Sequence, residues 1–139
     1  MLKNLLSSII ILSGIWILTS FHPEYKKPFN PTGTYEYNHG ENGDGIVKVQ
    51  KLSENRIKVS IFVVGGPPSH NMGEFMSEVK IKNGVAYYKS GDCGIKFVFN
   101  SKAVKVIQTD WNCGFGAGIA ADGYYLKTSS AVPDMENAY

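Results

Sequence analysis

Arginine is nearly missing from this chain: Arg56 is the only one in 139 residues. Bidentate clamping of phosphate or carboxylate relies on the planar arginine fork, so such a site has little to be built from. Cysteine is scarce as well. Cys93 and Cys113 stand alone, with no C-x-x-C, which leaves a zinc site short of ligands. Beyond the first twenty residues no stretch carries an apolar period of 3.6, which argues against a helical bundle. Charge is thin and balanced: 14 Lys and Arg against 12 Asp and Glu, a net of +2. The lysines are spread along the chain and form no stripe, so the electrostatic footprint of a nucleic-acid binder is missing.

Glycine and tyrosine are plentiful, with 15 and 8 copies, a composition that leans towards β structure with many turns. The N-terminus carries the strongest local signal. Lys3 precedes an apolar run from Leu5 to Leu18, broken only by Ser7, Ser8, Ser13 and Gly14, and Thr19-Ser20 follow. A basic start, an apolar middle and small polar residues form the pattern of a secretory signal peptide over residues 1–20. The run is short for a membrane span, which needs about 20 residues. A retained anchor is the alternative, and only then is a membrane a partner. The protein is therefore expected to be exported, periplasmic or extracellular. In an oxidising compartment a lone cysteine pair usually forms a disulfide; two free buried thiols are the alternative. Closing a loop of about 20 residues would stabilise the fold by roughly 3 kcal/mol.

Residues 21–31 hold Pro23, Pro28 and Pro31 and fit a linker into the domain. Residues 129–139 show no period and fit a flexible tail. Between them, over 32–128, apolar and polar residues alternate in short runs separated by turns. Ile57, Val59, Ile61 and Val63 make the clearest run. Asn83-Gly84 between two such runs is a hairpin signal, because both residues tolerate positive φ. If Ser101-Lys102 is a two-residue loop, Phe99 faces Val104 and Phe97 faces Val106. In that register Cys93 lies opposite Asp110, and a bulge or bend after Thr109 would bring it to Cys113. Eight strand candidates result. Their even spacing predicts an all-β, antiparallel meander, closed as a small barrel, with a β-sandwich as the alternative. Tyr35, Tyr37, Phe75, Tyr87, Phe97, Phe99 and Tyr124 are the expected large residues of the apolar face.

Motifs for chemistry are weak throughout. Gly116-Ala117-Gly118-Ile119-Ala120-Ala121 matches the dinucleotide fingerprint G-x-G-x-x-G/A. That site needs a helix directly after the glycines. Here Asp122-Gly123-Tyr124-Tyr125 begins a turn and a β run, so no cofactor is expected. His22, His39 and His70 are not at metal spacing, and Glu41 and Asp44 suit turn chemistry. Asp92, Asp110 and Asp122 suit caps and turns, so no catalytic residue and no metal site is assigned. The longest connection, Gly65 to Gly73, offers Pro67, Pro68, His70 and Met72 as a candidate binding loop. Trp111 and Phe115 flank Cys113. Exposed, they would join a recognition patch with that loop; buried, they would plug one end of the barrel.

The run C-G-I-K-F-V-F from Cys93, then V-K-V-I-Q, then C-G-F-G-x-G-I-x-A-D-G-x-Y resembles the C-terminal half of small exported bacterial β-domain proteins of uncharacterised activity. The likeness covers residues 93–127 and implies a bacterial exported β-domain with the Cys93–Cys113 disulfide. Gly33-Thr34-Tyr35 opening a meander is similar to lipocalin-like barrels. Periplasmic lysozyme inhibitors are a further small exported β class, but Ser90-Gly91-Asp92-Cys93-Gly94 departs from their S-G-x-x-Y motif. The resulting expectation is a non-catalytic exported binding protein that acts through rim loops on a protein partner, as an inhibitor or immunity-like protein. The alternative is a carrier of a small apolar ligand inside the barrel.

Overall fold

In the computed structural model, residues 29–38 and 43–137 are described. The expected signal peptide and residues 21–28 of the linker lie outside them. The described chain is all-β: β1 (Gly33–Asn38), β2 (Gly43–Ser53), β3 (Arg56–Gly65), β4 (Met72–Lys82), β5 (Val85–Ser90), β6 (Cys93–Phe99), β7 (Ala103–Trp111) and β8 (Gly123–Ser129). Each strand pairs antiparallel with the next, and β1 pairs with β8, so the meander closes into an eight-stranded barrel. Closure removes the two free edges that an open meander would expose.

Alternation explains the barrel's inside. Successive strand side chains point to opposite faces. In β3, Ile57, Val59, Ile61 and Val63 turn inward and are buried, while Lys58 and Phe62 between them are partly exposed. Val47 and Val49 of β2, Ile95, Phe97 and Phe99 of β6, and Val104 and Val106 of β7 join them in one core. The Asn83-Gly84 turn has φ of 51° and 75°, the left-handed pair that a two-residue hairpin requires. Pro31 is fully buried below the barrel, and the Tyr35 hydroxyl donates to its carbonyl at 2.6 Å.

Two expectations are corrected. Tyr87 and Tyr124 belong to the outer wall, at 50% and 52% exposure, while Ala86 and Tyr125 point inward. β8 carries a tyrosine on each face, and its partner decides: Tyr125 sits opposite the inward Val104, Tyr124 opposite Lys105. Similarly Ala86 faces Phe97, whose ring fills the space that a small residue leaves. The tail is also not free of the barrel. Met135 is only 6% exposed, and the Lys48 ammonium donates to the Asn137 carbonyl. Ser60 sits on the outer face opposite Lys48, yet is 1% exposed. One methionine in an aperiodic stretch leaves no pattern from which its docking could be foreseen.

The β6–β7 register follows the expected course. Phe99 faces Val104 and Phe97 faces Val106, as the short Ser101-Lys102 loop requires. Between Ile95↔Gln108 and Gly94↔Asp110 the ladder slips, leaving Thr109 as an extra residue. This is the bulge expected near Thr109, and it sets Cys93 opposite Trp111, two residues from Cys113. Cys93 and Cys113 form a disulfide, with Cα atoms 4.5 Å apart.

Candidate functional site

The two ends of the barrel differ because the connections differ. At one end short turns join β2 to β3, β4 to β5 and β6 to β7. At the other end lie the β3–β4 loop (66–71), the β5–β6 turn and the long β7–β8 connection (112–122). All six residues proposed as binding candidates fall at this loop end, although they come from two distant segments.

The β7–β8 connection folds back into the barrel mouth as a plug. Four inward-facing strand positions at this end are glycine, and side chains occupy the space they leave. A Cβ on Gly73 would lie 2.4 Å from the Phe115 ring, one on Gly65 2.6 Å from Ile119, and ones on Gly45 and Gly123 2.8 and 2.9 Å from the Tyr125 ring. These distances exclude any side chain larger than hydrogen without repacking. Polar contacts fix the plug's return into β8. Beyond Val106 the β7–β8 ladder ends, and side chains take its place. The Gln108 amide donates to Asp122 Oδ1 at 3.1 Å, and the Ala121 amide donates to Gln108 Oε1 at 3.1 Å. The Tyr125 hydroxyl donates to the Ala121 carbonyl at 2.9 Å. Burial first, then the nearby Tyr37 and Asp122, pushes the Tyr125 phenol well above the usual tyrosine range.

This packing divides the two aromatics that flank Cys113. Phe115 is partly buried and packs against the core, the plug alternative for this residue. Trp111 is 81% exposed. Its backbone is held on both sides. The disulfide at Cys113 follows it, and before it Asp110 accepts an ion-paired hydrogen bond from Lys89 at 2.7 Å. That bond holds the Asp110 carboxyl below the usual carboxylate range and raises the Lys89 ammonium. The Asn112 amide also reaches the Asp92 carbonyl at 3.3 Å. The indole thus stands on a segment tied by the disulfide, an exposed ion pair and a backbone hydrogen bond.

Pro67, Pro68, His70 and Met72 are exposed on the β3–β4 loop and the first turn of β4, with a cis bond between the prolines. The loop is closed by the Gly65 amide donating to the Asn71 carbonyl at 2.8 Å. Asn71 also ties it to the plug, its side-chain amide donating to the Ala117 carbonyl at 2.8 Å. The loop and the plug are therefore joined at one point of the rim. A groove of about 150 Å³ runs between the plug and the ends of β1 to β3, lined by Tyr37, Asp44, Gly65, Ile119, Asp122 and Tyr125.

The charge of this end did not emerge from the sequence. Asp44, Glu74, Asp92, Asp110 and Asp122 gather here, and Lys89 is already engaged by Asp110. The acids are far apart in sequence and share one end because alternate connections of a meander lie at the same rim. The inward glycines were equally missed, although their signal was present: Gly45, Gly65 and Gly73 keep the parity of Val47, Val63 and Phe75. No group of three His, Cys, Asp or Glu side chains placed to hold a metal occurs among the described residues.

The interior offers a different kind of surface. Tyr35, Phe97, Ile57, Ile61 and Ile95 fill it without exposure, and the Tyr35 and Phe97 rings each lie about 6 Å from that of Phe99, at 6.1 and 6.3 Å. At the short-turn end a cleft of about 340 Å³ opens between Phe29, Pro31, Ile81 and Phe99. Comparison with protein-family models, with curated proteins and with solved structures finds no match to this chain.

Proposed function

We propose that the chain is an exported, non-catalytic binding protein whose loop rim holds a protein partner of basic character. Trp111 carries this reading: a large indole stands exposed on a backbone pinned by a disulfide and an ion pair. Tryptophan is enriched among residues that dominate binding energy. A pinned backbone has little conformational freedom left to lose on binding. The acidic residues around it favour encounter with a basic surface. Export is supported by the apolar N-terminal run and by the disulfide, which is compatible with an oxidising compartment. The filled interior favours the outer rim over a carried ligand as the working surface. An inhibitor or immunity-like role fits a small, rigid, stapled scaffold.

The test is affinity capture from periplasmic or extracellular extract, read by mass spectrometry, with two variants beside the wild type. Trp111→Ala removes the rim indole; Tyr124→Ala removes an exposed ring from the wall. A partner held by the wild type and by Tyr124→Ala, and released by Trp111→Ala, supports the rim. Capture that ignores Trp111→Ala refutes it.

A further inference from the structure

The barrel is closed unevenly. β4 pairs with β3 without interruption from Arg56↔Lys80 to Val64↔Met72. On its other side β4 meets β5 in only two pairs, Ile81↔Ala86 and Lys82↔Val85. From Lys80 onwards the β4–β5 pairing is absent towards the loop rim, and the Phe75 and Tyr88 rings, 4.8 Å apart, bridge the seam.

Which backbone groups this leaves unpaired follows from parity. The N–H and C=O of one strand residue point to the same neighbour, and those of the next residue to the other. The Ile81 amide donates to Asn55, on the β3 side. Odd-numbered residues of β4 therefore face β3, and Glu74, Met76, Glu78 and Lys80 direct their N–H and C=O into the seam. From β5, the hairpin pair Lys82↔Val85 assigns the backbone of Tyr87 and Lys89 to the same seam. These six residues are all exposed. The Glu78 carbonyl accepts a long hydrogen bond from Ser77 Oγ at 3.4 Å, and the other groups are left to water.

A row of unpaired N–H and C=O groups is a template for an added strand. We propose that the seam receives an extended segment of the partner, hydrogen-bonded along β4 from Met72 to Lys80. The outward side chains of β4 run Met72, Glu74, Met76, Glu78. Cross-strand neighbours on one face interact directly. The incoming segment therefore alternates apolar and basic residues along its outward row, apolar against the adaptable methionines and basic against the glutamates. A second copy of this chain fits poorly. Paired antiparallel about Met76, it would set Glu74 against Glu78. The inference rests on the rim reading, since the seam opens at Met72, and it specifies the form in which that partner is gripped.

The experiment uses the full chain, immobilised, with a phage-displayed library of short random peptides as the probe. Met76→Pro removes a seam-facing N–H and leaves the β3 ladder, which uses Phe75 and Ser77, in place; proline is tolerated on such an edge. Enriched peptides should show the alternating apolar and basic row, protect the Glu74, Met76, Glu78 and Lys80 amides from hydrogen exchange, and lose about tenfold in affinity on Met76→Pro. N-methylation at alternate peptide positions should cause the same loss on the wild type, a check that stands even if Met76→Pro does not fold. Absence of any enriched peptide, peptides that tolerate N-methylation at every position, or seam amides that exchange equally with and without peptide would overturn the proposal. Trp111→Ala should leave peptide binding to the seam intact, so failure of the seam and failure of the rim are separable.

Discussion

Trp111 stands opposite Cys93 across the β6–β7 ladder, and Cys113, just beyond it, bonds back to Cys93. The covalent link thus closes around the residue that the rim displays and ties down the start of the plug. Without it the plug would rely on Phe115, Ile119 and a few hydrogen bonds. Replacing both cysteines by serine should cost about 3 kcal/mol, the chain-entropy value for a separation of about 20 residues. Urea denaturation of the oxidised protein and of the double variant measures this directly. Equal midpoints would mean that the bond contributes nothing to stability. Hydrogen exchange should rise first over residues 112–122, before the distant turns at the other end respond.

What the sequence disclosed and what it concealed divide along a physical line. All eight strands were legible because a period of two persists wherever one face is buried, as Ile57 to Val63 demonstrate. The Phe99↔Val104 register was legible because a two-residue loop permits no other. The bulge at Thr109 was legible only through the cysteines, because without it Cys93 falls opposite Asp110 and out of reach of Cys113. Tyr124 and Tyr125 offered the same side chain to both faces, and only the inward Val104 across the ladder separates them. The rim loop was visible as a connection with two prolines, but it is not the longest one: residues 112–122 between β7 and β8 are longer, because β7 stops at Trp111 and β8 begins only at Gly123. Phe115 could not be told from Trp111, because the hollow that takes the phenyl ring is made by Gly73, on another strand. The β4–β5 seam was hidden altogether. Asn83-Gly84 marks where a hairpin begins and carries no information on how far its strands stay together.

Gly73→Ala tests the plug. The added methyl would lie 2.4 Å from the Phe115 ring and 3.0 Å from its Cβ, the near part of that side chain and not a flexible end. Overpacking of this kind costs about 1–3 kcal/mol. The companion change Phe115→Leu should recover part of that loss, because it makes the space that the methyl needs. Thermal melts of the single and double variants check it. A double variant no more stable than Gly73→Ala alone would show that the strain arises elsewhere.

The docked tail makes a separate prediction. Met135 is 6% exposed and Val132, three residues earlier, is 67% exposed. Met135→Ala should cost about 2 kcal/mol, at the lower end for a buried methionine, while Val132→Ala should stay within about 0.5 kcal/mol. Hydrogen exchange at Ser60, which is covered on the outer face, should accelerate in the first variant and not in the second. If both variants melt together with the wild type, the tail does not hold to the wall in solution.

The pH dependence of stability at the alkaline end should follow Tyr35. Burial pushes its phenol from about 10 up to about 12. The folded state therefore holds that proton more tightly than the unfolded chain, where tyrosine ionises near 10. The stabilisation is fully present below pH of about 10 and is lost as pH rises towards about 12, because only the unfolded chain releases the proton in that window. Tyr125 is raised further by the same cause and acts in the same direction. Phenolate absorbance followed together with far-ultraviolet circular dichroism should show part of the tyrosine signal appearing only as the barrel unfolds. Tyr35→Phe separates two effects. It deletes the hydrogen bond to the Pro31 carbonyl and should cost about 1 kcal/mol at neutral pH. It also removes one proton from the linkage, so stability should fall less steeply across the alkaline window than in the wild type. A variant with an unchanged slope would place the alkaline transition on other groups.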